Sequence, residues 1–318
     1  MKMLDDLPEE ALDLVAAGLD ARSLARLGCV SRRCRDAHAR APLRLALSLS
    51  NESKVLRWAV APSRRARVVS VTSSRRAGSS GVAWMALFPS VTGVRFSFCR
   101  IMSSALDTLP CHALKSLTVH SLCPPAVRTL TDPTGPWTFS TAGLARFPCL
   151  EIARVTLTPQ WYAAEIHGGP ASLRVLELRN AEYVRLIAVP PAVDTLSIVC
   201  TGYMAWDRDI DASAWQFPAS VQRYRIECSN RGDIDLLIPR SVQILAVSAP
   251  FASSLTMGRL LHLQEALVDM DFVTVDAVPP HLKYLEIAAD RLATTSVPAH
   301  VTVVARVRGH RVDPQFFS

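Results

Sequence analysis

The sequence predicts an α/β protein in which a short N-terminal module of three helices, residues 1–42, precedes a curved solenoid built on a parallel sheet, residues 43–318. Three observations predict it. Residues 7–37, LPEEALDLVAAGLDARSLARLGCVSRRCRDA, hold three short amphipathic stretches. A unit of the form P-x-x-[L/V]-x-x-φ-x-φ, with φ apolar, recurs ten times, mostly at a spacing close to 21 residues. Proline stands three positions ahead of the leading apolar residue in six of those ten units, although the chain has only 21 prolines in all.

The helical module comes first. Leu12, Val15 and Leu19 fall on one helical face, with Leu14 beside them, and Pro8 sits where a first turn tolerates a missing N–H. Asp20 is placed to cap a second short helix carrying Leu24 and Leu27, which Gly28 interrupts. A third helix begins near Ser31; Val30, Cys34, Ala37 and Ala41 repeat at four and three, and arginines fill most positions between. About forty residues bury too little apolar surface to be stable alone. Such a unit either caps the neighbouring solenoid or offers its unmet apolar surface to another protein.

The run Leu7-Pro8-Glu9-Glu10, Leu19-Asp20, Ser23-Leu24-Ala25-Arg26-Leu27 and Val30-Ser31-Arg32-Arg33-Cys34-Arg35-Asp36 resembles an F-box. Cys34 stands where that family commonly carries an aromatic residue, usually Trp. The resemblance implies docking on the Skp-type adaptor of a cullin–RING ubiquitin ligase of the SCF type. It also implies that Leu7, Pro8, Leu12, Val15, Leu19, Leu24, Leu27 and Val30 divide between the module's own core and the adaptor contact.

The solenoid follows from the repeat. Its leading residues are Val91, Leu114, Leu150, Leu173, Val193, Val221, Val242, Leu263, Leu282 and Val301. Prolines 170, 190, 218, 239, 279 and 298 precede six of them, fixing φ and ending each returning segment without taking a ladder donor. Paired apolar residues such as Leu176 and Leu178, or Leu245 and Val247, point to one side of a strand and the residue between them to the other. One such unit cannot bury its inward face, so neighbours stack. Earlier residues fit the same period: Leu43, Leu45, Leu47 and Leu49 as a strand, ARVVSV at 66–71 as a second, and helix-like KVLRWAV between them. SRRAGSSG at 74–81 reads as a loop.

The pattern resembles a leucine-rich repeat, with Thr158, Thr201, Ser229, Asp271 and Asp290 where the usual turn asparagine would stand. The IPRSV and FPASV segments also resemble the short FNIP-type variant of that repeat. Residues 123–141 and 201–215 lengthen two of the steps and read as insertions carrying Trp137, Trp206 and Trp215; with Trp161 these form a second candidate recognition surface.

About ten strands at 4.7–4.9 Å give an array roughly 45 Å wide, enough for a protein interface of about 800 Å². Arginine and tyrosine are frequent interface anchors, so Arg154, Glu177, Arg179, Arg223, Arg225 and Tyr284 on the outward strand face are the candidate target contacts. A solvated, mutually paired charge ladder is the alternative reading of the same residues.

Composition narrows the function. An apolar fraction of 49% with 20% charged residues describes a folded chain. The net charge of +7 comes from 31 arginines against four lysines. Arg64, Arg65, Arg67, Arg75 and Arg76, with Arg306, Arg308 and Arg311, would suit phosphate contacts, but without interleaved aromatics nucleic acid is the weaker partner class. Eight cysteines without a CxxC pair read as reduced thiols. The acidic opening MKMLDDLPEE and the lack of a long apolar run predict a cytoplasmic or nuclear protein without a membrane partner. No P-loop, GxGxxG, GxSxG or HExxH occurs, and the Cys111-His112, His120 and Cys123 spacing fits no ordinary zinc pattern. The expectation is an adaptor that is not an enzyme and carries no cofactor or metal. A repeat scaffold unconnected with a ligase, or a nucleic-acid-binding solenoid, stands as the alternative.

Overall fold

The computed structural model describes residues 7–19, 21–47, 59, 68–73, 88–97, 101–109, 112–124, 137–206, 216–275, 277–294, 298–307 and 310–311. The chain divides into two compact units, Met1–Ala126 and Val127–Ser318.

The first unit opens with three helices, α1 (Glu9–Gly18), α2 (Ala21–Leu27) and α3 (Arg32–Arg40). Pro8 precedes α1 and its carbonyl accepts from Leu12 N at 3.0 Å, so the proline starts the helix without forfeiting a bond. Ser31 caps α3 by accepting from Cys34 N at 3.1 Å. Asp20, the expected cap of α2, lies outside the described residues. Strands β1 (Leu43–Leu47), β2 (Val68–Ser73), β3 (Gly93–Phe96), β4 (Ile101–Met102) and β5 (Ser116–Cys123) complete the unit. The path β1-β2-β3-β5 is parallel throughout, with β4 also pairing β5. β1 thus falls on the alternating leucines, and β2 overlaps the segment 66–71 expected as a strand but runs on to Ser73; Leu49 and residues 66 and 67 lie outside the described residues. Residues 54–60 and 74–81 lie outside the described residues, except Ala59, which is helical and buried.

The second unit holds β6 (Trp137–Ser140), β7 (Ile152–Leu157), β8 (Trp161–His167), β9 (Val175–Ala188), β10 (Thr195–Trp206), β11 (Arg223–Glu227), β12 (Gly232–Asp233), β13 (Ile244–Ser248), β14 (Ala252–Ser254), β15 (Glu265–Val275), β16 (Tyr284–Thr294), β17 (Thr302–Val307) and β18 (His310–Arg311). The path β7-β9-β10-β11-β13-β15-β16-β17 is parallel and follows chain order apart from β8, β12 and β14; β18 turns back antiparallel on β17. This is the solenoid-like parallel sheet that stacking of the repeat requires.

Among the described residues, nine of the ten coils begin with the same turn. The N–H groups of Leu173, Val193, Val221, Val242, Leu282 and Val301 bond to the carbonyls of Pro170, Pro190, Pro218, Pro239, Pro279 and Pro298, at 3.0 to 3.3 Å. The proline is therefore the first residue of a four-residue turn, supplying the acceptor while its ring fixes the approach. Phe88, Phe147 and Leu260 play the same part before Val91, Leu150 and Leu263. After the leader, one carbonyl accepts two N–H groups from the next coil, as Gln222 O does from Gln243 N (2.7 Å) and Ile244 N (3.0 Å). Ser172, Ser220 and Ser241 reach back to the previous coil's leader carbonyl at 2.7 to 2.9 Å. All ten leaders are buried.

The structure adds a second tier of strands to the one per period that the repeat predicts. Asn180 takes a positive φ of 64°, and β9 continues past it so that Tyr183–Leu186 pair with both β8 and β10. Asparagine tolerates that conformation better than most residues. Asn180 is thus the extra residue of a bulge, with Arg179 paired to Val199 and Ala181 to Cys200. Of the segments that the sequence marks as insertions, most of the described residues are strand. Residues 137–140 form β6, paired with β8, and 201–206 are the second half of β10. Trp161 begins β8, is buried, and meets Phe139 edge-on at 6.0 Å between centroids. Trp206 is buried against Phe217 at 5.1 Å and donates Nε1–H to Leu236 O at 2.8 Å. These two tryptophans fill the coil interior and are not exposed recognition groups; Trp215 lies outside the described residues.

Candidate functional site

Two surfaces carry the residues that the sequence singles out. The first is the helical module. Its interior is built from Leu12, Ala16, Leu24, Leu27, Cys34, Ala37 and Ala41. Three of the eight candidate adaptor contacts, Leu12, Leu24 and Leu27, therefore belong to the module's own core. Cys34 is fully buried, so the small thiol packs where a larger ring would need more room. Gly28 lets α3 come close at another point: a Cβ there would stand 3.1 Å from the His38 ring. α2 also lies against β1, so the module does cap the first strand of its unit.

Capping does not consume its apolar surface. Leu14 is 75% exposed and Val15 41%, both on α1, while Leu7, Leu19 and Val30 are half-buried and Pro8 is exposed. A groove of about 540 Å³ runs beside Leu14, lined by Ala17, Ala41 and Pro42 and flanked by Asp13 and Arg40. Arg40 bonds to Asp13 at 2.9 Å and Glu9 at 2.8 Å, and Arg33 donates to Leu7 O at 2.8 Å, tying α3 to α1. The hydrogen bond to Asp13 raises the Arg40 guanidinium further above its ordinary range. Leu14, which falls outside the sequence-derived contacts, is the most exposed large apolar residue of α1. Its neighbours in the helical pattern give no sign that it lacks cover.

The second surface is the outward face of the strands in the second unit. Registers align it in rows. Arg154, Glu177, Ser197, Arg225, Ala246, Leu267 and Glu286 stand side by side across β7 to β16. A second row holds Thr195, Arg223, Ile244, Glu265 and Tyr284, and a third Arg179, Val199, Glu227, Ser248 and Asp269. All six candidate target contacts thus share one face. They are partly paired: Arg154 Nε donates to Glu177 at 2.7 Å, Arg225 Nε to Glu227 at 2.8 Å, and Tyr284 Oη to Glu286 at 2.9 Å. Arg179 stands 3.8 Å from Glu177. The opposite rows, such as Leu178, Ile198, Ile226, Val247, Val268 and Ile287, are buried.

Behind the face lie Tyr224, Cys200 and Cys228. Tyr224 is the one aromatic in its inward row, and its hydroxyl meets Met204 Sδ at 3.9 Å. Burial raises its phenol well above the ordinary tyrosine range. A hydrogen bond between the two thiols lowers Cys228 and raises Cys200. His120 is exposed on β5 beside Arg95, whereas Cys123 is buried, so these two point apart. Among the described residues no helix is long and apolar enough to cross a membrane.

Residues 4–37 match the family model of the F-box domain, a domain that binds Skp-type adaptors of SCF-type cullin–RING ligases. No curated protein matches the chain.

Proposed function

We propose that this chain is a substrate-recognition adaptor of an SCF-type ubiquitin ligase, holding the Skp-type adaptor through its N-terminal helices and a target protein on the outward strand face. The chain itself performs no catalysis in this reading. The observation that carries it is the uncovered apolar surface of α1: Leu14 and Val15 stay exposed on a folded module that matches the F-box domain and already has a core of its own. Exposed apolar groups gathered on one helix mark an interaction site. The target half is supported by the width and chemistry of the strand face, which offers arginine and tyrosine anchors across the seven parallel strands from β7 to β16. Repeats of the leucine-rich or FNIP type would place those anchors on the face such proteins present to ligands.

The test is capture of the chain by a purified Skp-type adaptor. Wild type binds; the double substitution Leu7→Ala, Pro8→Ala weakens capture; and Val15→Asp, which places a charge in the apolar contact without touching the buried core, abolishes it. Absence of wild-type binding overturns the ligase reading, and equal capture of all three chains moves the contact off α1.

A further inference from the structure

β10 and the end of β11 carry a pair of thiols that neither surface described above uses. Val199 and Glu227 are partners in the parallel pairing of the two strands, so the residues that follow them, Cys200 and Cys228, run on side by side. Cys228 keeps strand-like pairing one residue beyond β11, since its N–H donates to Ser248 O at 3.0 Å. Two further bonds hold the chain there against β10: Ser229 N–H donates to Gly202 O at 2.7 Å, and Ser229 Oγ to Thr201 O at 3.2 Å. Cys200 Sγ lies 3.7 Å from that same Gly202 carbonyl. Both cysteines are buried in the coil, in a row that Ala181 and Ala249 continue on the coils to either side. Parallel neighbours stand about 4.7–4.9 Å apart, within the roughly 4.4–6.8 Å between Cα atoms that a disulfide spans. The two thiols already meet in a hydrogen bond.

We propose that Cys200 and Cys228 form a reversible disulfide that clasps β10 to the coil of β11, with hydrogen peroxide as the oxidant and a dithiol as the reductant. This stands apart from the ligase reading and needs neither adaptor nor target. Cys228 is the attacking thiol, because the hydrogen bond from Cys200 favours its thiolate while Cys200 itself is held protonated. Cys200 is 5% exposed and Cys228 4%, a narrow opening suited to a molecule as small as peroxide. The Cys228 thiolate attacks one peroxide oxygen; the S–O bond forms, the O–O bond breaks, and the departing hydroxide takes up the proton Cys228 released. A sulfenic acid and one water result. The Cys200 sulfur then attacks the sulfenic sulfur; the S–S bond forms, the S–O bond breaks, and the leaving hydroxide takes the Cys200 proton as a second water. Two thiols lose the two electrons that one peroxide gains. A dithiol reverses the step by exchange, ending as its own disulfide. The bridge fixes residue 228 two places before Asn230, whose side-chain amide holds both backbone groups of Met204. Oxidation therefore tightens the outer half of β10, and reduction frees it.

The full chain is reduced, treated with hydrogen peroxide, blocked with N-ethylmaleimide, digested and mapped by mass spectrometry. Peptides joined through Cys200 and Cys228 appear and are lost with dithiothreitol. The oxidised chain melts about 5–10 °C higher than the reduced one, and its Met204 amide exchanges more slowly. Cys200→Ala traps Cys228 as a sulfenic acid that dimedone labels, whereas Cys228→Ala gives no such label at Cys200. Alanine already fills this row at 181 and 249, so both variants fold. Replacing the exposed thiols, Cys29→Ser with Cys149→Ser, leaves the link intact. No link after peroxide treatment, a link formed only in urea, or one joined instead to Cys29 or Cys149 overturns the proposal. So does an oxidised chain that melts no higher than the reduced one.

Discussion

Asn230 offers the sharpest test of how the coils are held together. β11 ends at Glu227, whereas β10 continues to Trp206, so the outer edge of β10 at Met204 has no strand beside it. The Asn230 side chain takes that place. Its Oδ1 accepts from Met204 N at 2.8 Å and its Nδ2 donates to Met204 O at 2.6 Å, reproducing with one amide the two bonds of a strand neighbour. Met204 is fully buried. Asn230→Ala strips both partners from its backbone, and each orphaned group costs about 1–3 kcal/mol. Asn230 is itself only half-buried, so some water reaches the gap and the expected loss is about 2–4 kcal/mol. For a unit of this size that lowers Tm by about 5–15 °C. Asn230→Asp keeps the acceptor for Met204 N–H but sets a carboxylate against Met204 C=O. Repulsion there raises the carboxyl's folded pKa, so protonation favours the folded state; the Asp variant's deficit narrows as pH falls toward about 4. Urea denaturation measures the loss, and amide exchange at Met204 locates it. An Ala variant within about 0.5 kcal/mol of wild type, or a Met204 amide no faster than before, refutes the reasoning.

Other consequences follow from particular contacts. Gly202→Ala would place a Cβ 2.3 Å from Glu182 O, a backbone atom of the adjacent strand that cannot swing aside, so strands must part at a cost of about 3 kcal/mol; calorimetry reads it. Tyr224→Phe costs under about 1 kcal/mol at neutral pH, because its hydroxyl meets only a methionine sulfur. Above about pH 10 the unfolded phenol ionises while the raised folded one stays protonated, so wild type loses about 1.4 kcal/mol per pH unit relative to the Phe variant; alkaline denaturation of the pair shows the crossover. Pro298→Ala retains a carbonyl able to accept from Val301 N–H and costs only about 0.4–1 kcal/mol through the freer unfolded chain. A larger loss by urea titration would mean that the ring itself packs.

The leader positions were legible because each combines burial with a turn that local residues dictate. Proline and a following apolar residue suffice to set Pro239 to Val242 or Pro279 to Leu282. The outward rows were legible for the same reason: strand alternation is a local rule, and registers then bring Arg154, Glu177 and Arg225 abreast. The second tier was not. Residues 201–206 contain glycine and two aromatics without clean alternation, and their strand character comes from the neighbouring coil, through Tyr183 and Val184 on one side and the Asn230 amide on the other. Trp161 and Trp206 look like loop aromatics only while the segments around them are read as insertions. Ser197 follows its alternation and still ends up covered, since it lies between two long side chains. In the helical module the wheel places Leu12 and Val15 on one face, but only the packing of α3 through Cys34 and Ala37 decides that the former is core and the latter surface.

The recurring proline turn has an evolutionary reading. Because each turn closes on its own carbonyl and each coil leans on a single predecessor through carbonyls such as Gln222 O and Gln243 O, duplication or deletion of one coil leaves every junction chemically unchanged. Such an event would widen or narrow the face by about 4.8 Å. Copying whole coils therefore changes the width of the face in unit steps, with no need to redesign it residue by residue.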